Sequence, residues 1–246
     1  MEIGSGVSSL RLAIACPMAN ERGTAEAFVR ELMQVCAPLG AVLFFAVFDE
    51  TCKDGSREIV ERLAKTDDRI RVVYAPESTC PVDAYVRSNR EALASGYEWI
   101  LEINAGFRHQ PSDLPKFFPY MQQDYECIFG SRFIFGGQMS APSFRRRLFS
   151  QGGTYLTNAM LGTHLADMTS GFQMFRRQTL ETLLARGVRS RYHFFQTEMK
   201  AYCRGFRSVE VPIRYRTEAK SLRLRVLADA FFHLGRLTLL RVRGQL

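Results

Sequence analysis

Apolar runs of strand length alternate with helical patterns through the first hundred residues of the chain. Strand-like runs at 12–16, 41–48, 70–75 and 99–103 are separated by helix-like segments at 24–37, 56–64 and 82–94. This alternation is typical of successive βαβ units, which place their strands in one parallel sheet. We therefore predict an α/β protein with a mostly parallel central sheet flanked by helices.

The run at 41–48 gives the clearest of these signals. Its eight residues, Ala-Val-Leu-Phe-Phe-Ala-Val-Phe, include no polar position. A strand with one face in water alternates apolar and polar residues, whereas an uninterrupted apolar run is typical of a strand covered by helices on both faces. We expect this strand to be central in the sheet.

The length and composition of the chain fit one large domain. Its 246 residues are 46% hydrophobic and 24% charged, which is enough to bury a full core. No linker or compositional break divides the sequence. The whole chain, 1–246, is therefore predicted to form a single domain.

Cysteine usage and hydropathy indicate the compartment. Six cysteines occur without a C-x-x-C pair, and several lie in apolar segments, so we expect reduced thiols rather than disulfides or a zinc site. The first residues lack the regions of a signal peptide, and no run of 18 apolar residues exists. We expect a cytoplasmic protein without a membrane span.

Charge is distributed unevenly along the chain. Residues 1–140 carry 14 lysines and arginines against 19 acidic residues, and residues 141–246 carry 19 against 6, which gives net charges of −5 and +13. The second half is suited to anions, such as a phosphorylated substrate, an anionic membrane surface or nucleic acid. A solvated basic face that aids solubility is the alternative interpretation.

Polar loops follow three of the predicted strands. They read Pro-Met-Ala-Asn-Glu at 17–21, Asp-Glu-Thr-Cys-Lys-Asp-Gly-Ser at 49–56, and Asn-Ala-Gly-Phe-Arg-His-Gln-Pro at 104–111. In open α/β sheets, ligands bind outside the carboxyl ends of the strands. We therefore expect the chemistry of the protein to lie at these three loops.

In their order, the loops resemble the motifs of family 2 glycosyltransferases, which read P-x-x-N-E, then D-D-x-S-x-D-G-T, then D-A-D-x-x-H-x-P. Later segments strengthen the resemblance, because they follow the order seen in dolichyl-phosphate mannose synthases and related polyprenyl-phosphate glycosyltransferases. These segments lie at 130–133, 136–137, 146–150, 167–172, 194–199 and 210–213.

The resemblance implies a GT-A fold with a nucleotide-sugar-binding half at 10–129, an acceptor half at 130–221 and a basic C-terminal helix at 222–246. The donor-binding residues that it implies are Pro17, Asn20, Glu21, Asp49, Glu50, Asn104, Gly106 and Arg108. The acceptor-binding residues that it implies are Arg132, Arg146, Ser150, Gln196 and Glu198. Lys220 or Arg223 would add positive charge near the donor, although the motif around them is only partly kept.

One motif departs from the family pattern in a way that bears on mechanism. The family positions that hold a divalent metal on the donor diphosphate are Asn104, Gly106 and Arg108 here. Mg²⁺ and Mn²⁺ prefer anionic oxygen ligands, so we expect no metal cofactor. Two interpretations stay open. Either Arg108 replaces the cation, because a guanidinium binds diphosphate oxygens bidentately, or the site has lost turnover.

Roles on the acceptor side depend on the acceptor. Asp167 is the candidate general base if the acceptor is a hydroxyl. An acceptor phosphate is already anionic, so that Asp167 would then orient an arginine or the sugar. Gln196 and Glu198 either line the site or are ordinary polar residues at the start of a helix.

The segment 222–246 alternates Leu, Val and Phe with arginines. Such a basic amphipathic helix lies at a membrane surface in some proteins. Packing on its own domain is the alternative, because Asp229 and His233 interrupt its apolar character. The expected partners therefore include a membrane surface or a membrane protein.

Together these features predict an inverting glycosyltransferase that moves one sugar from a nucleoside diphosphate to a phosphorylated lipid or related acceptor without the usual metal. The alternative is a catalytically silent nucleotide-sugar-binding or scaffold protein of the same fold. A processive polymerase is disfavoured because Q-x-x-R-W is absent from the sequence. Nucleic acid is disfavoured as a partner because no helix-turn-helix or RNP motif is found.

Overall fold

The computed structural model describes residues 6–140, 144–216 and 224–246, apart from the side chains of 144–146. Its first half follows the predicted alternation closely. The elements of that half are β1 (Arg11–Pro17), α1 (Ala25–Val35), β2 (Ala41–Phe48), α2 (Ser56–Ala64), β3 (Ile70–Tyr74), α3 (Pro81–Ala94), β4 (Trp99–Glu102) and the short α4 (Phe118–Met121).

The second half mixes shorter strands with longer helices. Its elements are β5 (Cys127–Ser131), β6 (Gln138–Ser140), α5 (Phe144–Leu161), β7 (Gln173–Arg176), α6 (Arg177–Arg186), α7 (Phe195–Tyr202), β8 (Ser208–Pro212), β9 (Arg214–Arg216) and α8 (Leu224–Val242). Strands β6 and β9 form a separate two-stranded sheet.

The main sheet has seven strands in the order β3-β2-β1-β4-β7-β5-β8. All neighbours are parallel except that β7 runs antiparallel to both β4 and β5. This arrangement confirms the predicted α/β class with a mostly parallel sheet. Strand β7 belongs to the second half of the chain and pairs with β4 of the first half, so one continuous sheet runs through both halves.

Strand β2 lies inside the sheet, one place from the edge, and its side chains enter core clusters on both faces. Phe44 and Phe48 are buried with α1 and α2, whereas Phe45 is buried with α3 and helices of the second half. This two-sided burial explains the absence of polar positions from 41–48.

The register of the parallel strands aligns the loops that carry the polar motifs. Pro17 at the end of β1 pairs with Val47 of β2, and Ala15 of β1 pairs with Glu102 of β4. The carboxyl ends of β1, β2 and β4 therefore reach the same edge of the sheet. Helix α2 begins there at Ser56, after Gly55 in the left-handed conformation (φ +86°).

Candidate active site

The loop after β1 is hydrogen-bonded to the loop after β2. The side-chain amide of Asn20 donates to the carbonyl of Thr51 (2.9 Å) and accepts from the backbone N–H of Lys53 (3.0 Å). The backbone N–H of Glu21 donates to Oγ of Ser56 (2.7 Å). Asn20 therefore positions the neighbouring loop, and this contact accounts for its place in the donor motif.

Glu21 also contacts the loop after β4. Gly106 has φ +75°, and a Cβ atom built there would lie 2.1 Å from Oε2 of Glu21. Position 106 thus excludes a side chain while Glu21 keeps this conformation. Nη2 of Arg108 lies 3.5 Å from Oε1 of Glu21, and the Arg108 side chain is 30% exposed. The structure therefore brings Glu21, Gly106 and Arg108 together.

Asn104 and His109 hold the same loop from inside. Oδ1 of Asn104 accepts from the hydroxyl of Tyr85 (2.7 Å), and its backbone N–H donates to Nδ1 of His109 (3.3 Å). Burial, together with the charge of Arg132, lowers the pKa of His109 to about 3. His109 is therefore neutral, as the accepting role of Nδ1 requires.

The donor atoms at the three metal positions of the family do not fit a divalent cation. Oδ1 of Asn104 is bonded to Tyr85, Gly106 has no side chain, and Arg108 brings a positive charge. Glu21 is a nearby carboxylate, and it contacts Arg108. Mg²⁺ and Mn²⁺ need several hard oxygen ligands, so these residues are unsuited to hold one.

A cavity of about 220 Å³ opens beside the loop after β2. Asp49 and Glu50 line it, and Oδ1 of Asp49 accepts from the backbone N–H (2.9 Å) and hydroxyl (2.5 Å) of Thr51. The guanidinium of Arg57 lies 4.6 Å from the centre of the Tyr74 ring on the same cavity wall. Two predicted donor-binding residues, a cationic side chain and an aromatic side chain therefore line the same cavity.

A second cluster forms around Arg132 in the acceptor half. Its guanidinium makes two hydrogen bonds to the carboxylate of Asp167, both 2.7 Å, and also donates to Oγ of Ser150 (3.1 Å) and Oγ1 of Thr169 (2.5 Å). Ser150 and Thr169 are hydrogen-bonded to each other at 2.7 Å. The predicted residues Arg132, Ser150 and Asp167 therefore lie together.

Asp167 is buried and firmly ionised. Although its burial would raise the pKa, the charge and hydrogen bonds of Arg132 outweigh that effect and lower the pKa to about 2. Its backbone N–H donates to Glu210 (2.9 Å), and its carbonyl accepts from the ammonium of Lys200 (2.6 Å). Of the two roles expected for Asp167, this geometry favours orienting an arginine over acting as a general base.

Two aromatic residues connect the clusters. The ring of Tyr215 lies 5.3 Å from that of His109 and 5.2 Å from the guanidinium carbon of Arg132. The His109 ring also stacks on the ring of Phe172, which is the last residue of the 167–172 segment. The loop after β4 and the Arg132 cluster are thus in contact through His109 and Tyr215.

The structure corrects one acceptor residue. Glu198 is fully buried, and its carboxylate accepts hydrogen bonds from Ser190, Tyr202 and Arg236. These bonds connect α7 to α8 and to the preceding loop, so Glu198 supports packing instead of lining the acceptor site. Gln196 is buried, and its amide lies against Gly171 in the segment 167–172. The side chain of Arg146, and residues Lys220 and Arg223, lie outside the described residues.

Several residues of the site were not predicted from the sequence. Thr169 and Tyr215 had a signal, because they lie in the 167–172 motif and in the partly kept motif that follows Ile213. Tyr85 and Lys200 had none, because their roles depend on contacts between distant elements. A larger cavity of about 530 Å³ lies between α3 and the connection from α6 to α7. None of the predicted site residues lines that cavity.

Comparison with known proteins agrees with this arrangement. Residues 14–184 match the model of glycosyl transferase family 2. The chain is 27% identical over 208 residues to polyprenol monophosphomannose synthase from Mycolicibacterium smegmatis, covering 83% of this chain and 77% of the relative. It is 29% identical over 171 residues to undecaprenyl-phosphate mannosyltransferase from Micrococcus luteus, covering 69% and 70%.

Solved structures show the same fold at low sequence identity. Glucosyl-3-phosphoglycerate synthase from Mycobacterium tuberculosis, in complex with Mn²⁺, UDP and phosphoglyceric acid, matches with a TM-score of 0.64 at 15% identity, covering 95% of this chain and 78% of that one. Mannosyl-3-phosphoglycerate synthase from Rubrobacter xylanophilus matches with a TM-score of 0.60 at 14% identity, covering 97% and 76%. The chain belongs to glycosyl transferase family 2 and is a glycosyltransferase with the GT-A fold.

Proposed function

We propose that this glycosyltransferase moves one sugar from a nucleoside diphosphate sugar to a polyprenyl phosphate, with inversion at the anomeric carbon and without a divalent metal. The observation that carries the proposal is the Arg132 cluster, held beside the donor loops through His109 and Tyr215. An arginine with hydroxyl groups around it suits a phosphate. The names of both curated relatives support a lipid phosphate acceptor.

The donor fits the three loops in the following way. The base and ribose occupy the cavity beside Asp49 and Glu50, where Tyr74 and Arg57 offer stacking surfaces. The diphosphate reaches the loop after β4, where Arg108 neutralises its charge. The Arg108 side chain is 30% exposed at this loop, so solvent and a diphosphate bound there can reach it.

The reaction then needs no proton acceptor. An anionic oxygen of the acceptor phosphate attacks the anomeric carbon and forms the new C–O bond. The bond from that carbon to the diphosphate breaks, and its electron pair leaves with the nucleoside diphosphate. Arg108 stabilises the charge that develops on the leaving group. Arg132, oriented by Asp167, holds the attacking phosphate.

One observation favours the alternative of a silent nucleotide-sugar-binding protein. Glu21 contacts Arg108, and its negative charge opposes the binding of a diphosphate. If this pair stays closed when the donor binds, the site lacks the cation that lowers the barrier. Turnover distinguishes the two functions.

The experiment is a panel of UDP-, GDP- and dTDP-sugars with a short, water-soluble isoprenyl phosphate as acceptor. Product is detected by mass spectrometry, with and without Mn²⁺. We expect one donor class to give sugar-phosphate-isoprenyl product, and Arg132→Gln to lose about a hundredfold in rate. Arg30→Gln, at an exposed ion pair on α1, is the matched control. Donor binding without any transfer would establish the silent alternative.

We also propose a cytoplasmic location at the face of a membrane. All six cysteines are free thiols, which fits a reducing compartment. Among the described residues, no helix has the length and apolar character to cross a bilayer. A lipid acceptor would therefore have to be reached at the bilayer surface by the part of the chain that the structure describes.

A further inference from the structure

Exposed apolar side chains are concentrated on two helices. Single exposed apolar residues are common on protein surfaces, whereas a contiguous group marks an interaction surface. Among the described residues, Tyr74 and Phe135 are the exposed large apolar residues outside these helices. Nine others lie on α5 and α8: Leu148, Phe149, Tyr155, Leu156, Leu224, Phe231, Phe232, Leu239 and Val242.

Helix α8 has a mostly apolar outer face and a mixed inner face. Its exposed residues lie at 224, 225, 228, 231, 232, 235, 239 and 242, which form one side of the helix, and Arg225 is the charged residue among them. On the inner side His233 is buried against Asp229, and Arg236 pairs with Glu198. Leu234 and Leu237 are buried on the same inner side, so only the apolar outer face is unusual for a helix packed on a soluble domain.

Helix α5 also has an apolar outer face. Its exposed positions after Arg147 are 148, 149, 152, 155, 156 and 159, and no charged residue occurs between 148 and 161. The two helices pack against each other. Arg241 of α8 donates to the backbone carbonyls of Ala159 (3.0 Å) and Met160 (2.9 Å) at the end of α5. We call the exposed faces of α5 and α8 the apolar face.

Exposed arginines flank the apolar face. Arg147 lies near the start of α5, and Arg225 and Arg243 lie near the two ends of α8. An apolar surface edged by cations complements an anionic bilayer, whose phosphates lie just outside its hydrocarbon. A second copy of the chain fits less well, because a two-fold contact brings the same arginines of both copies together.

The apolar face is continuous with the phosphate-binding cluster. Ser150 follows the exposed Phe149 on α5, and its Oγ lies 3.1 Å from the guanidinium of Arg132. Helix α5 therefore carries both Ser150 of the Arg132 cluster and part of the apolar face.

We propose that the apolar face of α5 and α8 docks on the surface of an anionic bilayer and holds the Arg132 cluster at the level of the lipid phosphates. The second part of this proposal rests on the proposed function, because it assumes a lipid acceptor. The first part does not.

The test is co-sedimentation of the protein with vesicles. Vesicles of equal parts phosphatidylcholine and phosphatidylglycerol should bind the protein, and vesicles of phosphatidylcholine alone should bind it more weakly. The double variant Phe231→Ser, Phe232→Ser removes two side chains that are 63% and 70% exposed, so we expect it to fold, which its circular dichroism spectrum checks. It should bind about tenfold more weakly, as should Leu148→Ser, Tyr155→Ser.

Tyr74→Ser is the matched control, because Tyr74 is an exposed aromatic residue on the edge strand β3. It should bind vesicles as the unmodified protein does. The proposal is overturned if the unmodified protein binds neither kind of vesicle. It is also overturned if both double variants bind the anionic vesicles as tightly as the unmodified protein does. It is also overturned if sedimentation equilibrium shows a dimer that Phe231→Ser, Phe232→Ser dissociates, because a second copy would then cover the face.

Transfer to the water-soluble isoprenyl phosphate separates this proposal from the proposed function. Both double variants should keep the rate of the unmodified protein with that acceptor, because the Arg132 cluster is unchanged. Vesicle binding that behaves as described, in a protein that transfers to no acceptor, would refute the proposed function and leave the docking surface established.

Discussion

At the scale of single residues, the contact between Glu21 and Gly106 limits the space at the loop after β4. The Glu21 carboxylate occupies the space that a side chain at position 106 would need, and it lies beside Arg108. A carboxylate of the loop after β1 therefore restricts the residue type at position 106. The sequence itself shows the unusual residues at 104, 106 and 108. The contact between Glu21 and Gly106 depends on loop conformation, which the spacing of motifs along the chain does not reveal.

Gly106→Ala tests this contact. The left-handed backbone and the 2.1 Å approach to Glu21 should make the variant about 2 kcal/mol less stable, as measured by urea unfolding. Gly23→Ala is the control, since no atom lies within 4 Å of a Cβ at that position. Equal stability of the two variants would show that the loop relaxes freely and that Glu21 does not hold it.

Glu102 gives a pH-dependent prediction. Its burial raises the pKa from 4.5 to about 7, although hydrogen bonds from Asn89 and Gln173 oppose the shift. Because the folded state then binds the proton more tightly than the unfolded state, Glu102 reduces stability as pH rises from about 4.5 to 7. Glu102→Gln should stabilise the protein by about 2 kcal/mol in alkaline buffer and have little effect in mild acid.

Urea unfolding in mildly acidic and mildly alkaline buffers measures this difference. Gln173→Glu, which adds a carboxyl beside Glu102, should instead lower the free energy of unfolding in alkaline buffer. A Glu102→Gln variant that is less stable in both buffers would contradict the account of a penalised carboxylate.

At the scale of elements, the first half was predictable and the second was not. The predicted helix 56–64 and strand 41–48 agree with the structure at both ends, because local apolar periodicity defines them. The antiparallel β7 was not predicted, since its position between β4 and β5 is set by pairing with distant strands. The prediction for Glu198 failed for a similar reason, because its partner Arg236 lies on α8.

Arg236→Met tests the connection between α7 and α8. Removing the guanidinium leaves the buried Glu198 carboxylate without its cation, which should cost about 3 kcal/mol in urea unfolding and expose α8 to hydrogen exchange. Adding Glu198→Gln should restore part of the stability. Arg225→Met, at an exposed position on the same helix, is the control. A loss equal to that of the control would mean that the pair contributes little.

At the scale of the whole molecule, the charge asymmetry places the basic residues near the apolar face. The acidic segment 1–140 supplies the polar loops and Arg132, and the basic segment 141–246 supplies Ser150, Asp167 and the arginines that flank the apolar face. The sequence predicted the fold, the family and the grouping of Arg132, Ser150 and Asp167. It could not predict that His109 and Tyr215 join the two halves, because this contact exists only in the folded chain.

The central claim is that Arg108 supplies the positive charge that relatives obtain from a metal. The most direct measurement is the initial rate of sugar transfer in EDTA and in Mn²⁺, for the unmodified protein, Arg108→Ala and the surface control Arg30→Ala. We predict that EDTA leaves the unmodified protein and the control unaffected, and that Arg108→Ala is about a hundredfold slower in both conditions. A rate that requires Mn²⁺, or an Arg108→Ala variant as active as the control, would contradict the claim.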